Sequence, residues 1–280
     1  MPNYQASSWP NLSRYAIRLL VSGLLVSAIL SRPALAQSTG DIAKQAQNPI
    51  ASMISVPFQN NATFGVGEHG STANALDIEP VIPVTLNSDW NLVTRTIVPI
   101  VEEPALAPGL GSVAGLGDIQ LSLYLSPAQP THGIIWGVGP SFSFATATDR
   151  SLGSGKESAG LSTAVLTIRG PWLVGTLITD VASVGGREDR KSVHSFLIEP
   201  FVNYNFSHGW YLNSSPIMTA DWHAASDNRW TVPIGGGGGK ILRIGKQAVN
   251  AYVQAFDNVV RPHEAGNWTL RVQVQLLFPR

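Results

Sequence analysis

Alternation of apolar and polar residues with a period of two recurs along this 280-residue chain. In the last segment, Leu270, Val272, Val274, Leu276 and Phe278 alternate with mostly polar neighbours, which gives one apolar and one polar face. The same pattern predicts strands near residues 76–86, 119–125 and 196–206. Apolar residues at helical spacing are scarce after residue 36, so the chain is predicted to be all-β.

Short turns alternate with longer, Gly-rich and charged connections, and together they divide the chain into about 12 strands. The short turns are expected at 87–89, 169–171, 207–209 and 243–246, with a somewhat longer link at 127–133. The longer loops are expected at 59–74, 102–116, 147–157, 185–193, 223–228 and 261–267. This arrangement is typical of a transmembrane antiparallel up-and-down β-barrel. We therefore predict such a barrel over residues 48–280.

The composition favours a membrane barrel over a soluble β-sandwich. Only 13% of the residues are charged, about half the usual share, whereas a soluble sandwich covers its outer faces with charge. The balance of 18 basic and 18 acidic residues offers nothing to attract nucleic acid. With no cysteine and with histidines scattered along the chain, no metal site and no cofactor are predicted.

The N-terminus has the pattern of a secretory signal peptide. Arg14 and Arg18 precede an apolar run over residues 19–30, and small residues lead to a cleavage site between Ala36 and Gln37. The apolar run is too short to cross a membrane as a helix. The sequence thus predicts a signal peptide over 1–36, a short periplasmic lead over 37–47, and export to the bacterial outer membrane. The lead could itself fold into the barrel mouth, and its composition does not decide between these.

Tryptophans lie where strands are expected to begin or end. Those after short turns and those beside longer loops would form two aromatic belts at the membrane–water interfaces. The alternative is that they start strands for packing alone. The predicted belt residues are Trp90, Trp136, Trp172, Trp210, Trp222, Trp230 and Trp268.

Charged residues within the predicted strands alternate with the apolar band and are expected to point into the barrel lumen. An arginine facing lipid at mid-depth would cost about 2–4 kcal/mol. Two roles stay open: mutual pairing that fills the barrel, or lining a pore and setting its selectivity. The predicted lumen residues are Glu79, Arg95, Asp118, Glu199, Asp221, Arg229, Arg243, Asp257 and Arg271.

Residues 196–220 overlay residues 76–100 at a constant offset of 120, which suggests a duplicated hairpin. Several prolines fall inside predicted strands, where each removes a hydrogen bond, so we expect bulges or open pairing at some of them. The glycine run 235–239 would leave room in the lumen for a bulky side chain or a solute. The in-strand prolines are Pro80, Pro83, Pro99, Pro140, Pro200, Pro216 and Pro233.

Two other functions are possible for such a barrel, that of an enzyme and that of an adhesive or structural protein. The motif at 153–156 lacks the leading Gly and the final Ser or Thr of a phosphate-binding loop. His69 and Ser71 have a spacing that, on a strand, could support a lipid hydrolase, but they fall in a predicted loop. The predicted loops are short for adhesion. No catalytic residue is assigned, and the chain is predicted not to be an enzyme.

Several motifs together resemble the phenol-degradation meta-pathway family of outer-membrane proteins, often labelled transporter or "neuromedin U". The resemblance implies a barrel that moves small, aromatic or hydrophobic compounds by passive or facilitated diffusion. Expected partners are outer-membrane lipids, a small-molecule solute and the barrel assembly machinery, which would read Phe278 because Pro279-Arg280 replaces the usual final aromatic residue. The motifs are Asn48–Ala51, Pro80–Pro83, Asp89–Leu92, Gly115–Ile119, Trp136–Pro140, Ala145–Asp149, Pro200–Tyr204, Asn228–Pro233 and Leu277–Pro279.

Overall fold

The computed structural model describes residues 39–105 and 111–279. The predicted signal peptide and its cleavage site lie outside these residues. The described part contains one α-helix, α1 (Thr39–Ala46), and two short 3-10 helices, Ser207–Gly209 and Ser226–Asn228. Its strand segments are β1 (Ile54–Val66), β2 (Ser71–Ile78), β3 (Val81–Thr85), β4 (Trp90–Glu103), β5 (Val113–Leu116), β6 (Ile119–Pro127), β7 (Ile134–Phe144), β8 (Lys156–Arg169), β9 (Trp172–Gly186), β10 (His194–Asn205), β11 (Trp210–Ser214), β12 (Met218–Asp221), β13 (Trp230–Ile244), β14 (Gln247–Val260) and β15 (Trp268–Phe278).

The strand segments form one closed antiparallel sheet. Consecutive wall strands pair with each other, and β1 pairs with β15 from Ile54↔Phe278 to Phe64↔Trp268, which closes the sheet. Three wall strands are interrupted, as β2 with β3, β5 with β6, and β11 with β12. The described residues therefore build a barrel of 12 wall strands, which confirms the predicted fold class. No helix in the described residues is long and apolar enough to cross a membrane.

The connections separate into two ends. At the turn end lie the short links around residues 86–89, 128–133, 170–171, 206–209 and 245–246, together with the first residue of β1 and the last of β15. The loop end carries the other connections. The predicted loop over 59–74 is wrong, because β1 and β2 pair up to Val66↔Ser71, with a register shift after Phe64, and leave a link of four residues. The polar residues that suggested a loop pair across the strands, as Asn60 does with Asn74 at 2.9 Å.

The irregularities fall at some prolines and not at others. Pro80 separates β2 from β3, Pro216 separates β11 from β12, and a register shift occurs between Val232 and Pro233. Pro99, Pro140 and Pro200 are paired on one side, with Asp77, Leu161 and Thr176, and fall at an interruption of the ladder on the other side. Open pairing thus accompanies most of the in-strand prolines, as expected. Pairing persists on one side because the missing N–H removes a hydrogen bond on one side of a strand only.

The repeat in the sequence is a repeat in the structure. The first hairpin pairs Val84 with Leu92 and Thr85 with Asn91. The second pairs Tyr204 with Leu212 and Asn205 with Tyr211, each partner shifted by 120 residues. The two hairpins share one register, which supports their origin by duplication.

Residues 39–53, here called the N-terminal segment, fold against the inside of the barrel at the turn end. Asp41 in the first turn and Lys44 in the last turn of α1 complement its dipole. Gln47 exchanges side-chain hydrogen bonds with Asn205 at 2.8 and 3.1 Å. The segment and the barrel share a buried apolar cluster of Ile42, Ala43, Ala51, Met53, Tyr211, Ile241, Ala248 and Leu277.

Candidate functional site: the barrel lumen

Charged side chains converge at the middle of the lumen. Arg95 Nη2 on β4 donates to Glu79 Oε2, which lies between β2 and β3, at 2.6 Å. Glu199 on β10 is the repeat equivalent of Glu79 and interacts electrostatically with the same arginine. Asp77 and Arg271 complete what we call the charged cluster, with three carboxylates and two guanidinium groups. Both hairpin copies thus direct a glutamate at one arginine.

Arg271 on β15 connects this cluster to two walls of the barrel. Its Nε donates to Asn61 Oδ1 at 2.9 Å, and Asn61 Nδ2 donates to Asp77 Oδ2 at 3.2 Å. Its Nη1 donates to the Ser215 carbonyl oxygen, also at 2.9 Å. Its guanidinium carbon lies 4.9 Å from the ring centroid of Phe256. Arg271 is 4% exposed, so these contacts hold its charge in a fixed place.

A ladder of amide and phenol groups covers the lumen face of β1, β14 and β15. Tyr252 Oη lies 3.1 Å from Gln59 Oε1 and 2.9 Å from Gln273 Oε1. Asn250 Nδ2 donates to Gln275 Oε1 at 3.0 Å. Neutral hydrogen-bonding groups line this polar wall, and they can contact polar solutes without binding them as tightly as charges would.

The opposite lumen wall is apolar at the same depth. Its buried side chains come from β3, β4, β6, β8, β9 and β10, and Ile50 of the N-terminal segment packs against them. Within this wall Tyr124 Oη is hydrogen-bonded to Ser162 Oγ at 2.7 Å. The apolar wall consists of Val81, Val93, Tyr124, Ala164, Leu166, Leu173, Leu177 and Phe201.

The glycine run makes room for a tyrosine. A Cβ added at Gly239 on β13 would overlap the Tyr211 hydroxyl. Tyr211 is 2% exposed and donates to Asn250 Oδ1 at 2.5 Å. The bulky group expected beside these glycines is therefore this side chain.

A cavity of about 130 Å³ lies between the two walls. Glu79, Arg95 and Glu199 border it on one side, and Gln47 to Pro49 of the N-terminal segment border it toward the turn end. An apolar cavity of similar size holds one benzene molecule in another protein. The space suits one small ring or a few waters.

The other predicted lumen residues lie away from the middle. Asp221 and Arg229 lie at the loop end, where Asp221 accepts the His223 N–H and Arg229 donates to the Ala224 carbonyl oxygen. Arg243 is exposed near the turn that follows β13. Alternation along a strand indicates the face on which a residue lies but not its depth, so the sequence could not separate these positions.

Asp257 is a correction, since it faces outward. On β14 the buried residues are Gln254, Phe256 and Asn258, and the alternating exposed ones are Val253, Ala255, Asp257 and Val259. Phe256 faces the lumen because Arg271 packs on its ring. Apolar residues on the lumen side blur the contrast between faces, and that contrast was the basis of the prediction. Asp257 pairs with Trp268 near the loop end of the wall.

Asp118 and Arg190 hold the connection between β7 and β8 at the loop end. Asp118 accepts hydrogen bonds from the Ala147 N–H at 3.2 Å and the Ser154 N–H at 2.6 Å. Arg190 donates to the carbonyl oxygens of Arg150, Gly153 and Ser154. The Gly153–Lys156 motif is thus a loop whose backbone is hydrogen-bonded by Asp118 on one side and by Arg190 on the other.

Asp189 joins this loop to the next one. Its carboxylate accepts hydrogen bonds from Arg150 and Arg187, at 2.5 and 3.2 Å for the shorter contact of each. These hydrogen bonds lower the pKa of Asp189 to about 2, and the bond from Arg150 has the larger effect. Asp189 is therefore ionised at neutral pH.

The tryptophans point outward at both ends. Trp90 and Trp136 meet edge to face at 6.0 Å at the turn end, where Trp172 and Trp210 also lie on the outer surface. At the loop end Trp222 and Trp230 meet at 5.7 Å. Trp268 at that end stacks on Phe64 at 4.3 Å.

The residue pair considered for lipid hydrolysis is not assembled. His69 is exposed in the link between β1 and β2, and Ser71 begins β2. Within the described residues no hydrogen bond joins the two side chains, so the histidine does not activate the serine there.

Sequence reasoning missed Asp77 and the amide ladder. Asp77 alternates with apolar neighbours on β2 as Glu79 does, and Gln273 and Gln275 continue the polar face of Arg271 on β15. For the amides the signal was present, but only charged residues were treated as lumen candidates; Asp77 carries the same alternation signal as Glu79 and was left out. A barrel interior also carries neutral amides on the same face.

Comparison with known proteins finds the same architecture in solved structures. The COG4313 outer membrane channel from Pseudomonas putida F1 is similar with a TM-score of 0.60 and 17% identity, over 81% of this chain and 94% of that one. The NanC porin is similar with a TM-score of 0.51 and 7% identity, over 81% of this chain and 100% of that one. No family model matches the chain, and no curated protein matches its sequence. These likenesses show an outer-membrane barrel fold.

Proposed function

We propose that this chain is an outer-membrane channel for small solutes, apolar and aromatic compounds among them, which pass by passive or facilitated diffusion. The main support for this proposal is the lumen, where a cavity of about 130 Å³ lies between an apolar wall and a polar one. A solute with a small ring and one polar group can contact both walls at once. The fold shared with an outer membrane channel and a porin supports this proposal.

The turn end then faces the periplasm and the loop end faces the outside, as in other outer-membrane barrels. Export would use the predicted signal peptide. The barrel assembly machinery would read β15, whose last residue Phe278 is outward-facing and 41% exposed. The aromatic belts would lie at the two lipid interfaces.

Selectivity would come from the charged cluster. Its carboxylates, Asp77, Glu79 and Glu199, outnumber its two arginines, which predicts a weak preference for cations and neutral solutes over anions. No catalytic role is proposed.

The proposal is tested by uptake into cells. A strain without its own porins, expressing the chain, should take up radiolabelled phenol faster than the same strain with an empty vector. Equal uptake at equal amounts of folded barrel would contradict the proposed function.

A further inference from the structure

The barrel wall is open on both sides of one strand. β10 pairs with β12 up to Ile198↔Met218 and with β11 from Val202↔Ser214 onward. No pairing joins the three residues between, on either strand. On the other side, β13 pairs with β12 at Thr219↔Thr231 and resumes with β11 only at Asn213↔Gly237. The ladder is missing at one height on two neighbouring seams.

Prolines explain the gap. The flanking registers place Pro200 of β10 opposite Pro216, which lies between β11 and β12. Pro233 of β13 lies at nearly the same height, beside the register shift. Each proline lacks the N–H that a ladder needs. Three adjacent wall strands therefore share a place that cannot be fully hydrogen-bonded.

The first copy of the duplicated hairpin has a shorter interruption at the equivalent place, between β2 and β3, and one backbone hydrogen bond crosses it. In the first copy the Thr96 N–H donates to the Pro80 carbonyl oxygen at 3.1 Å. The residues equivalent by the offset of 120 are Pro216 and Pro200. Since Pro216 has no N–H to donate, the second copy lacks this bond. The two copies differ at this point in one donor.

The gap lies between an inner and an outer cavity. The lumen cavity is bordered there by Glu199, Phe201 and Ser215, and it also reaches Asn213. Asn213 in addition borders an apolar groove on the outer surface, with Trp172, Val202, Tyr204, Leu212, Ser214 and Gly237. Among the described residues, Asn213 Oδ1 is one of three buried side-chain atoms with no hydrogen-bond partner. The wall thus has few backbone hydrogen bonds at the place where the lumen cavity and the outer groove approach each other.

We propose that this gap is a lateral portal through which small apolar solutes leave the lumen for the membrane. The inference rests on the proposed function. The turn end is filled by the N-terminal segment, whose buried residues include Ile42 and Met53 at 1% and 2% exposure. The sideways path meets a weak ladder and a few side-chain bonds, from Arg271 and Gln254 to Ser215 and from Ser214 Oγ to the Gly235 carbonyl oxygen. A neutral solute with a single ring dissolves in lipid whereas an ion does not. The portal therefore selects solutes by their solubility in the membrane.

Restoring the missing donor tests the portal. Pro216→Thr copies the first hairpin and supplies an N–H toward Pro200. We expect uptake of radiolabelled toluene by porin-deficient cells to fall at least about fivefold, while the KCl conductance of the purified barrel changes less than about twofold. The matched control is Pro140→Thr, at a proline that lies away from the gap, is paired with Leu161 on one side and has no ladder partner on β6, and it should leave both unchanged. Folding of each variant is checked by the heat-dependent shift in gel mobility.

A disulfide staple gives a second test should Pro216→Thr fail to fold. The chain has no cysteine, so Ile198→Cys with Met218→Cys places the only thiol pair across the edge of the gap, at directly paired positions. Toluene uptake should be low when the pair is oxidised and recover on reduction. Wild-type uptake equal to that of empty-vector cells would overturn channel and portal together. Wild-type uptake that neither variant lowers would overturn the portal alone.

Discussion

At the scale of single residues, the lumen is organised by two arginines. Arg95 is held by Glu79 at 2.6 Å, and Arg271 by Asn61 and Ser215 at 2.9 Å each. Neither is free to swing across the cavity. Their charges therefore act as fixed features of the pore, and removing one changes the field that a passing ion meets.

Arg95→Gln should shift the channel toward cations. The change leaves Glu79 and Glu199 without their shared cation, so the reversal potential in a KCl gradient should indicate a K⁺ to Cl⁻ permeability ratio raised at least about threefold. Arg243→Gln is the control, because Arg243 is exposed outside the lumen middle. An unchanged ratio in a folded Arg95→Gln barrel would refute the role of the cluster.

Gly239→Val should destabilise the barrel by about 1–3 kcal/mol, since its side chain must displace Tyr211 from a close-packed site. The measurement is the urea midpoint of unfolding in detergent micelles. Gly245→Ala is a comparison at a glycine with open space around its Cβ position but a φ of 61°, so it should cost less. Equal tolerance of both substitutions would be inconsistent with the packing described.

The loop-end carboxylate gives a pH prediction. The pKa of Asp189 falls from 3.8 to about 2 on folding, so its bonds to Arg150 and Arg187 contribute above pH 4 and are lost as the pH falls toward 2. Pepsin should cut the loops around 145–155 and 187–193 more slowly in the wild type than in Asp189→Asn at pH 4. At pH 2 the two proteins should be cut at equal rates, and the comparison is made at one pH at a time because the activity of pepsin itself changes with pH. Equal rates at pH 4 would speak against the clamp.

At the scale of elements, the N-terminal segment has a role that the sequence did not reveal. Residues 37–47 are predicted from sequence as a short periplasmic lead that could also fold into the barrel mouth, and their composition does not decide between the two. The structure packs Ile42 and Ala43 against Ile241, Ala248 and Leu277. Such contacts between distant parts of the chain leave no periodic trace in a short segment.

Ile42→Asp should release this segment. Ile42 is 1% exposed among apolar neighbours, and a carboxylate there costs several kcal/mol unless it moves to water. We expect the mean KCl conductance to rise at least about twofold. Gly40→Asp places the same charge at an exposed position of the same helix and should not change it. A conductance unaffected by Ile42→Asp would show that the segment does not obstruct the pore.

Strands were predictable where alternation was strict and turns were short. β15 and the turns near 88, 170, 208 and 245 lie where the sequence places them. The same alternation failed for Asp257, because Phe256 turns an apolar ring inward. It also could not distinguish the depth of Arg95 from that of Arg243. The face of a residue is a local property, whereas its depth and partners depend on the closure of the whole barrel.

At the scale of the whole molecule, closure of the barrel brings together walls that are far apart in sequence. β1 and β15 pair, so Asn61 meets Arg271 across 210 residues. The twelve wall strands enclose a lumen with an apolar side, a polar side and a charged centre. A lumen with these three features is what the channel proposal requires, and a barrel filled by mutual pairing alone would not leave the cavity.

Single-channel recording of the purified protein in planar bilayers tests the channel most directly, with wild type and Ile42→Asp measured side by side. If the barrel is a channel that the N-terminal segment narrows, the wild type should show discrete openings and the variant larger ones. Silence of both proteins, when each is shown to be folded by its resistance to heat and detergent, would contradict the account.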